Sequence, residues 1–155
     1  MKPALRSSLP KYCTIRPADR CRHRRGIAAG TILRCARRSA GISQAELAGA
    51  MGINEKAVRA WEEGSAPLAS VPLPRVTALE ASLRRAGASA DLVADLAVAC
   101  WCDLIFVAIA EHQDITTLLA DPITRETAFG ELLAWCIAGC VPERYKPYAD
   151  LRPLR

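Results

Sequence analysis

Aromatic residues make up only 5% of the chain, and there are two methionines and two histidines. With so few rings, the core has to be built from Ala, Leu, Val and Ile, which favours helices over strands. His23 and His112 stand far apart, and no Ser/His/Asp cluster, phosphate-cradling loop or convincing metal motif accompanies them, so an enzyme is not expected. No uninterrupted apolar run reaches the roughly 20 residues that a bilayer requires. The longest, "VACWCDLIFVAIA" (98–110), is broken by Asp103 and is expected as a buried core helix. The start, "MKPALRSSLPKYCTIRP", has no apolar stretch and carries Pro3, Pro10 and Pro17, so no secretory signal is expected. Seven cysteines, an odd number, then point to free thiols in a reducing cytoplasm. Acidic charge is nearly missing from the first forty residues, where Asp19 stands against 11 Lys and Arg.

What is present fits one domain of ordinary size, or a small domain with an appendage: 155 residues, 51% of them hydrophobic. Beyond residue 40 the balance reverses, with five basic against seven acidic residues over 41–100 and five against eight over 101–155. The net charge of +5 therefore comes entirely from the first quarter. A basic arm of this kind suits a polyanion, either nucleic acid or an anionic membrane surface, while a merely solvated tail is the plain alternative.

Prolines and the closing "RCRHRRG" mark residues 1–26 as an irregular basic arm. A helix is expected from about Ile27 to Gly41, with Ile32, Leu33 and Ala36 facing inward. Ser43 opens a second helix: in "SQAE", Ser43 and Glu46 form a capping box. Leu47, Ala48 and Met51 make its buried side, and Gly52 ends it. Asn54 caps a third helix, "NEKAVRAWEE", in which Val58 and Trp61 recur at helical spacing. The proline-rich "SAPLASVPLP" cannot be regular helix. A fourth helix is expected over about 75–86, and one over about 90–111 with Ser89 as its cap. "DITTLLADP" should hold a short turn of helix, and a last helix is expected over about 123–140. That last helix carries Ile123, Ala128, Leu132, Cys136 and Cys140 in one stripe. The end, "PERYKPYADLRPLR", reads as an extended polar tail.

Helices of about ten residues are marginal alone, so the second and third must pack on each other and on a further helix. The connection "MGIN" forces a sharp crossing, Gly52 accommodates positive φ, and Ala48 is small where the backbones approach. This leaves the first turn of the third helix projecting, at a diameter that fits the DNA major groove.

The residues "LRCARRSAGISQAELAGAMGINEKAVRAWEEG" resemble the Cro/XRE, phage-repressor-like helix-turn-helix family. The match runs through Leu33, Arg37, Gly41, Ile42, Ser43, Gln44, Glu46, Leu47, Ala48, Gly52, Ile53, Val58, Trp61, Glu62 and Gly64. It covers 31–64 well and 75–86 loosely, and does not reach 1–26 or 90–155. The resemblance implies a repressor-like five-helix DNA-binding domain, and the residues outside it add an α-helical C-terminal extension and a basic N-terminal arm, so the expected fold is all-α. The resemblance also implies that the third helix (about 54–63) reads the major groove of double-stranded DNA while the second lies across the phosphate backbone. Carried over, Asn54, Glu55, Lys56, Arg59 and Ala60 are the base-contacting candidates. Ser43, Gln44 and Arg38 are phosphate candidates, and Arg37 with Glu62 matches a structural salt bridge between first and third helices. One departure matters. The family's basic residue after Glu-x-Gly is replaced by the uncharged "GSAPLASVPLP", and Arg20, Arg22, His23, Arg24 and Arg25 of the arm are expected to compensate on phosphate or in a minor groove.

Cys13, Cys21 and His23 lack zinc-knuckle spacing. A set of Cys100, Cys136 and Cys140 with His112 is conceivable, but small hydrophobes in an alanine-rich core is the preferred reading, and no metal or cofactor is expected. Trp101, Phe106, Phe129 and Trp135 are candidate interface or core residues, with the core preferred. The expected layout is a flexible arm (1–26), a helix-turn-helix domain (27–87), a helical extension for dimerisation or regulation (88–141) and a tail (142–155). The expected function is a cytoplasmic, nucleoid-associated transcriptional regulator that binds DNA as a homodimer and has no membrane partner. The alternative is an antitoxin-like or adaptor protein that binds a protein partner through 88–141.

Overall fold

A computed structural model describes residues 26–139 and 141–149. Among them there is no strand, and the architecture is all-α. Helices α1 (Ile27–Ser39), α2 (Gln44–Met51), α3 (Glu55–Glu62) and α4 (Leu73–Arg85) are followed by the long α5 (Ala90–Ala110), the single turn α6 (Thr116–Leu119) and α7 (Thr127–Ala138).

α1 is buried on almost every side because it lies between two partners. Ala28, Ala29, Ile32, Leu33, Cys35 and Ala36 are each at most 1% exposed. On one side it packs on α3, on the other on α5. The pair α1–α5 runs antiparallel: the first turn of α1 meets Asp103, and Ser39 at its end meets Ser89. Ser89 stands at the N-cap position of α5 as expected, but its hydroxyl caps nothing. Its backbone N–H instead donates to Ser39 Oγ at 3.0 Å.

α4 begins two residues earlier than the spacing predicts, since Pro74 falls in its first turn, where the missing N–H costs nothing. α5 extends the expected apolar run toward its N-terminus and reaches 21 residues. By length and composition that is enough to cross a bilayer, contrary to the expectation from 98–110 alone. Its buried face nevertheless belongs to the core, through Leu92, Val93, Leu96, Ala99, Cys102 and Ile105. α7 starts at Thr127 rather than near 123, because Pro122 and the Asp121 side chain, which accepts from Ile123 N at 2.9 Å, form a separate 3-10 turn. Phe129 and Trp135 are buried; Trp101 and Phe106 are half-buried against the core.

The expectation of an extended tail is corrected over 142–149. A 3-10 turn at Glu143–Tyr145 brings Tyr145 into the core, 0% exposed and stacked on Trp135 with ring centroids 5.4 Å apart. Its hydroxyl donates to Asp95 Oδ2 at 3.0 Å. Arg144 lies 3.1 Å from the same oxygen and, as a charge contact without a directed hydrogen bond, 2.8 Å from Glu131 Oε2. A tyrosine that buries its ring and finds a partner for its hydroxyl outweighs the polarity of its neighbours.

Candidate nucleic-acid interface

α2 opens with the capping box in place: Ser43 Oγ accepts from Glu46 N at 3.1 Å, and Glu46 Oε2 accepts from Ser43 N at 2.6 Å. These bonds to Ser43 hold the Glu46 carboxyl below its ordinary pKa. The chain then turns at Gly52 with φ +64, a left-handed conformation that strains any residue with a Cβ. Ile53 N closes the turn onto Ala48 O at 3.0 Å. Asn54 Oδ1 accepts from Lys56 N at 2.8 Å and starts α3.

The inner face of α3 is Val58 (0% exposed), Trp61 and Glu62. Glu62 is the hub of the helix-turn-helix. Its carboxylate, with a fully shielded side chain, meets Arg37 Nε at 2.6 Å and Arg37 Nη2 at 3.0 Å. Gln44 Nε2 donates to it at 2.7 Å, and Arg34 Nε stands 3.6 Å away. Arg37 also donates to Ile42 O at 2.8 Å, and Arg34 to Glu62 O at 3.1 Å. One carboxylate thus ties α1, α2 and α3 together, and buried charge with several partners fixes relative orientation strongly.

The outer face of α3 carries Glu55, Lys56, Arg59 and Glu63, all exposed. Arg59 Nη2 lies 3.3 Å from Glu55 Oε1, an i,i+4 pair open to solvent that contributes little to stability and is readily exchanged for another partner. Among the remaining candidates, Ala60 differs from expectation. It is half-buried, and its carbonyl accepts from Ala66 N and Ser65 Oγ. One N–H of the Gln44 side-chain amide is engaged by Glu62, which leaves the second to donate to a phosphate. The Ser43 hydroxyl accepts the cap bond and keeps its own proton to donate. Arg38 is exposed and donates to Tyr148 O at 3.3 Å. Arg20, Arg22, His23, Arg24 and Arg25 lie outside the described residues.

Sequence reasoning missed several participants. Glu63 follows Arg59 by one turn and shares its face, a spacing readable in the chain. Arg34 and Gln44 join the Glu62 hub; Arg34 sits three residues before Arg37 on one helix face, which is the available signal. Arg75, exposed near the start of α4, supplies a cation just beyond the uncharged loop. Over the described residues the chain is mildly acidic, with 11 Lys and Arg against 14 Asp and Glu.

The described residues hold no group of three His, Cys, Asp or Glu side chains placed to bind a metal. Burial pushes the thiols of Cys100 and Cys102 up to about 12. A groove of about 550 Å³ between α5 and α7 is lined by Ala94, Asp95, Val98, Ile123, Thr127 and Arg144. Asp95 and Arg144 in its wall pair with each other and with the Tyr145 hydroxyl.

The family model of the transcription regulator-like HTH domain matches residues 28–86. No curated protein matches the chain, and no solved structure does. The HTH match begins inside α1 and ends just past α4, so it contains the whole Glu62 hub and the projecting α3, and it leaves out α5 to α7.

Proposed function

We propose that the protein is a sequence-specific transcriptional regulator of Cro/XRE type that reads the DNA major groove with α3. One observation carries this reading: α3 is locked from behind by the buried Glu62 while Glu55, Lys56 and Arg59 stand in solvent on its outer face. The HTH match supports it. Lys56 donates to guanine O6 or N7, Glu55 accepts from cytosine N4, and Arg59 leaves Glu55 for a base edge or phosphate. Asn54 offers its amide nitrogen, since its oxygen holds the cap. The protein acts in the cytoplasm, on the nucleoid, without catalysis. Selection of bound fragments from genomic DNA tests the assignment: Lys56→Ala should lose preference at one base position in each half-site, and an unchanged preference removes Lys56 from the reading.

A second reading concerns the C-terminal half. Among the described residues, four of the five exposed large apolar side chains lie there: Leu104 at 40%, Ile109 at 51%, Leu119 at 47% and Ile137 at 66%. Such exposure supports a protein contact through 88–141, either a homodimer that pairs two DNA half-sites or an antitoxin-like partner. Salt separates the two activities, because DNA affinity falls steeply as salt rises and an apolar contact holds. Sedimentation across a concentration series reads the homodimer directly.

A further inference from the structure

The first turn of α1 is one of the places where the HTH domain meets α5. It begins at Gly26, which offers no side chain to cap it, so the leading amides need another acceptor. Asp103, in the middle of α5, supplies it. Oδ1 accepts from Ala28 N and Oδ2 from Ala29 N, each at 2.9 Å, across 75 and 74 residues of chain. The residue is 3% exposed. On the opposite side of the same turn, Gly30 lies against the C-terminal end of α3. A Cβ there would collide with the Trp61 carbonyl oxygen and stand 2.8 Å from that of Glu62. The positive end of α1 is therefore clasped between a carboxylate from α5 and the negative end of α3, an arrangement both dipoles favour.

Taking α3 as the reading helix, as proposed above, we infer that Asp103 is a positioning residue for DNA recognition and that the DNA-binding unit runs from residue 26 through α5, beyond the HTH match. The coupling is steric as well as electrostatic. Backbone packing at Gly30 transmits any shift of the α1 first turn directly to the Trp61–Glu62 carbonyls, with no flexible side chain between them to absorb it. The Glu62 hub two turns further along α1 then couples α3 to the same helix. A cap taken from the C-terminal half makes the placement of α3 depend on a helix that lies outside the HTH match.

Asp103→Asn is the isosteric probe, since it keeps one acceptor oxygen and turns a donor toward the other amide. Cys102→Ala is the control: Cys102 is equally buried on α5, and its sulfur faces Phe129 O rather than α1. Both are made in the full chain. In D103N, amide exchange at 27–30 and 59–64 should quicken by about tenfold, the scale of a lost cap. Affinity for the selected DNA should fall by a similar factor. In C102A, exchange at those two segments should change no more than elsewhere, and affinity should hold. Native-state exchange of the unaltered protein adds a measurement that needs no variant: amides 28–30, 58–62 and 99–105 should open together as denaturant is raised. Independent opening of 58–62, or D103N quickening 27–30 alone, overturns the inference. Failure of the unaltered protein to bind any DNA selectively is a different result, which strikes the reading of α3 and leaves the exchange measurements to decide the clasp.

Discussion

Arg37 grips both carboxylate oxygens of Glu62, at 2.6 and 3.0 Å, from a position 25 residues earlier in the chain. The Glu62 side chain has no solvent exposure and that of Arg37 has 12%. Removing one member of a buried pair leaves the other charge stranded, at a cost of about 3–5 kcal/mol. Arg37→Ala should lie near about 3 kcal/mol, because Gln44 and Arg34 still face the carboxylate. Urea denaturation measures it, and a loss below about 1 kcal/mol would show that the hub does not hold the three helices.

Tyr145 closes the C-terminal half onto α5. Tyr145→Phe keeps the stack on Trp135 and deletes the bond to Asp95, which should cost about 1–2 kcal/mol. Tyr145→Ala empties a wholly buried site and should cost about 3–5 kcal/mol. Equal and negligible losses in thermal denaturation would return residues 142–149 to the status of a loose tail.

Burial pushes the Asp103 carboxyl up to about 6, against the pull of the Ala29, Ala28 and Ile27 amides. In the unfolded chain the group returns to its ordinary value of 3.8. Between these two values the folded state holds the extra proton, so this contribution to stability is greatest at low pH, declines as pH rises from about 4 to about 6, and is flat above. The full change is on the order of 3 kcal/mol. A pH series of urea denaturations should show this slope in the unaltered protein and lack it in Asp103→Asn; parallel curves would refute it.

Cys100 and Cys102 should be poor nucleophiles. Raising a thiol from its ordinary 9.0 to about 12 cuts the thiolate fraction about a thousandfold. Iodoacetamide at pH 8, followed by peptide mapping, should label these two far more slowly in the native than in the urea-unfolded protein. Rapid native labelling at either site would show a reactive, accessible thiol instead.

The basic arm should show itself in the salt dependence of binding. Residues 1–25 hold eight Lys and Arg against one acidic residue, whereas the described residues are net acidic. Deleting 1–25 should weaken DNA binding and reduce the slope of log affinity against log salt by about 0.9 for each phosphate that the arm neutralises. An unchanged slope would exclude the arm from the interface.

The local grammar of α1 to α4 was legible in the residues themselves. Ser43, Glu46, Gly52 and Asn54 act within three or four positions of where they stand, and the 3.6-residue period placed Val58 and Trp61 inside. The spacing also separates Glu62 from Glu63, although the family resemblance assigns a role to Glu62 alone. Boundaries slipped where a proline or a 3-10 turn intervened, as before α4 and α7.

What the sequence determined by itself was the helix pair, its caps and its projecting face, because each rests on interactions between near neighbours in the chain. Tertiary structure alone decided that Asp103 caps α1, that Gln44 turns inward to Glu62 rather than outward, and that Tyr145 fills the core. Those outcomes join residues 75, 18 and 50 positions apart. No periodicity encodes such pairings. They arise when burial leaves an amide, a carboxylate or a hydroxyl needing a partner, and the partner is whichever group packing has brought within reach.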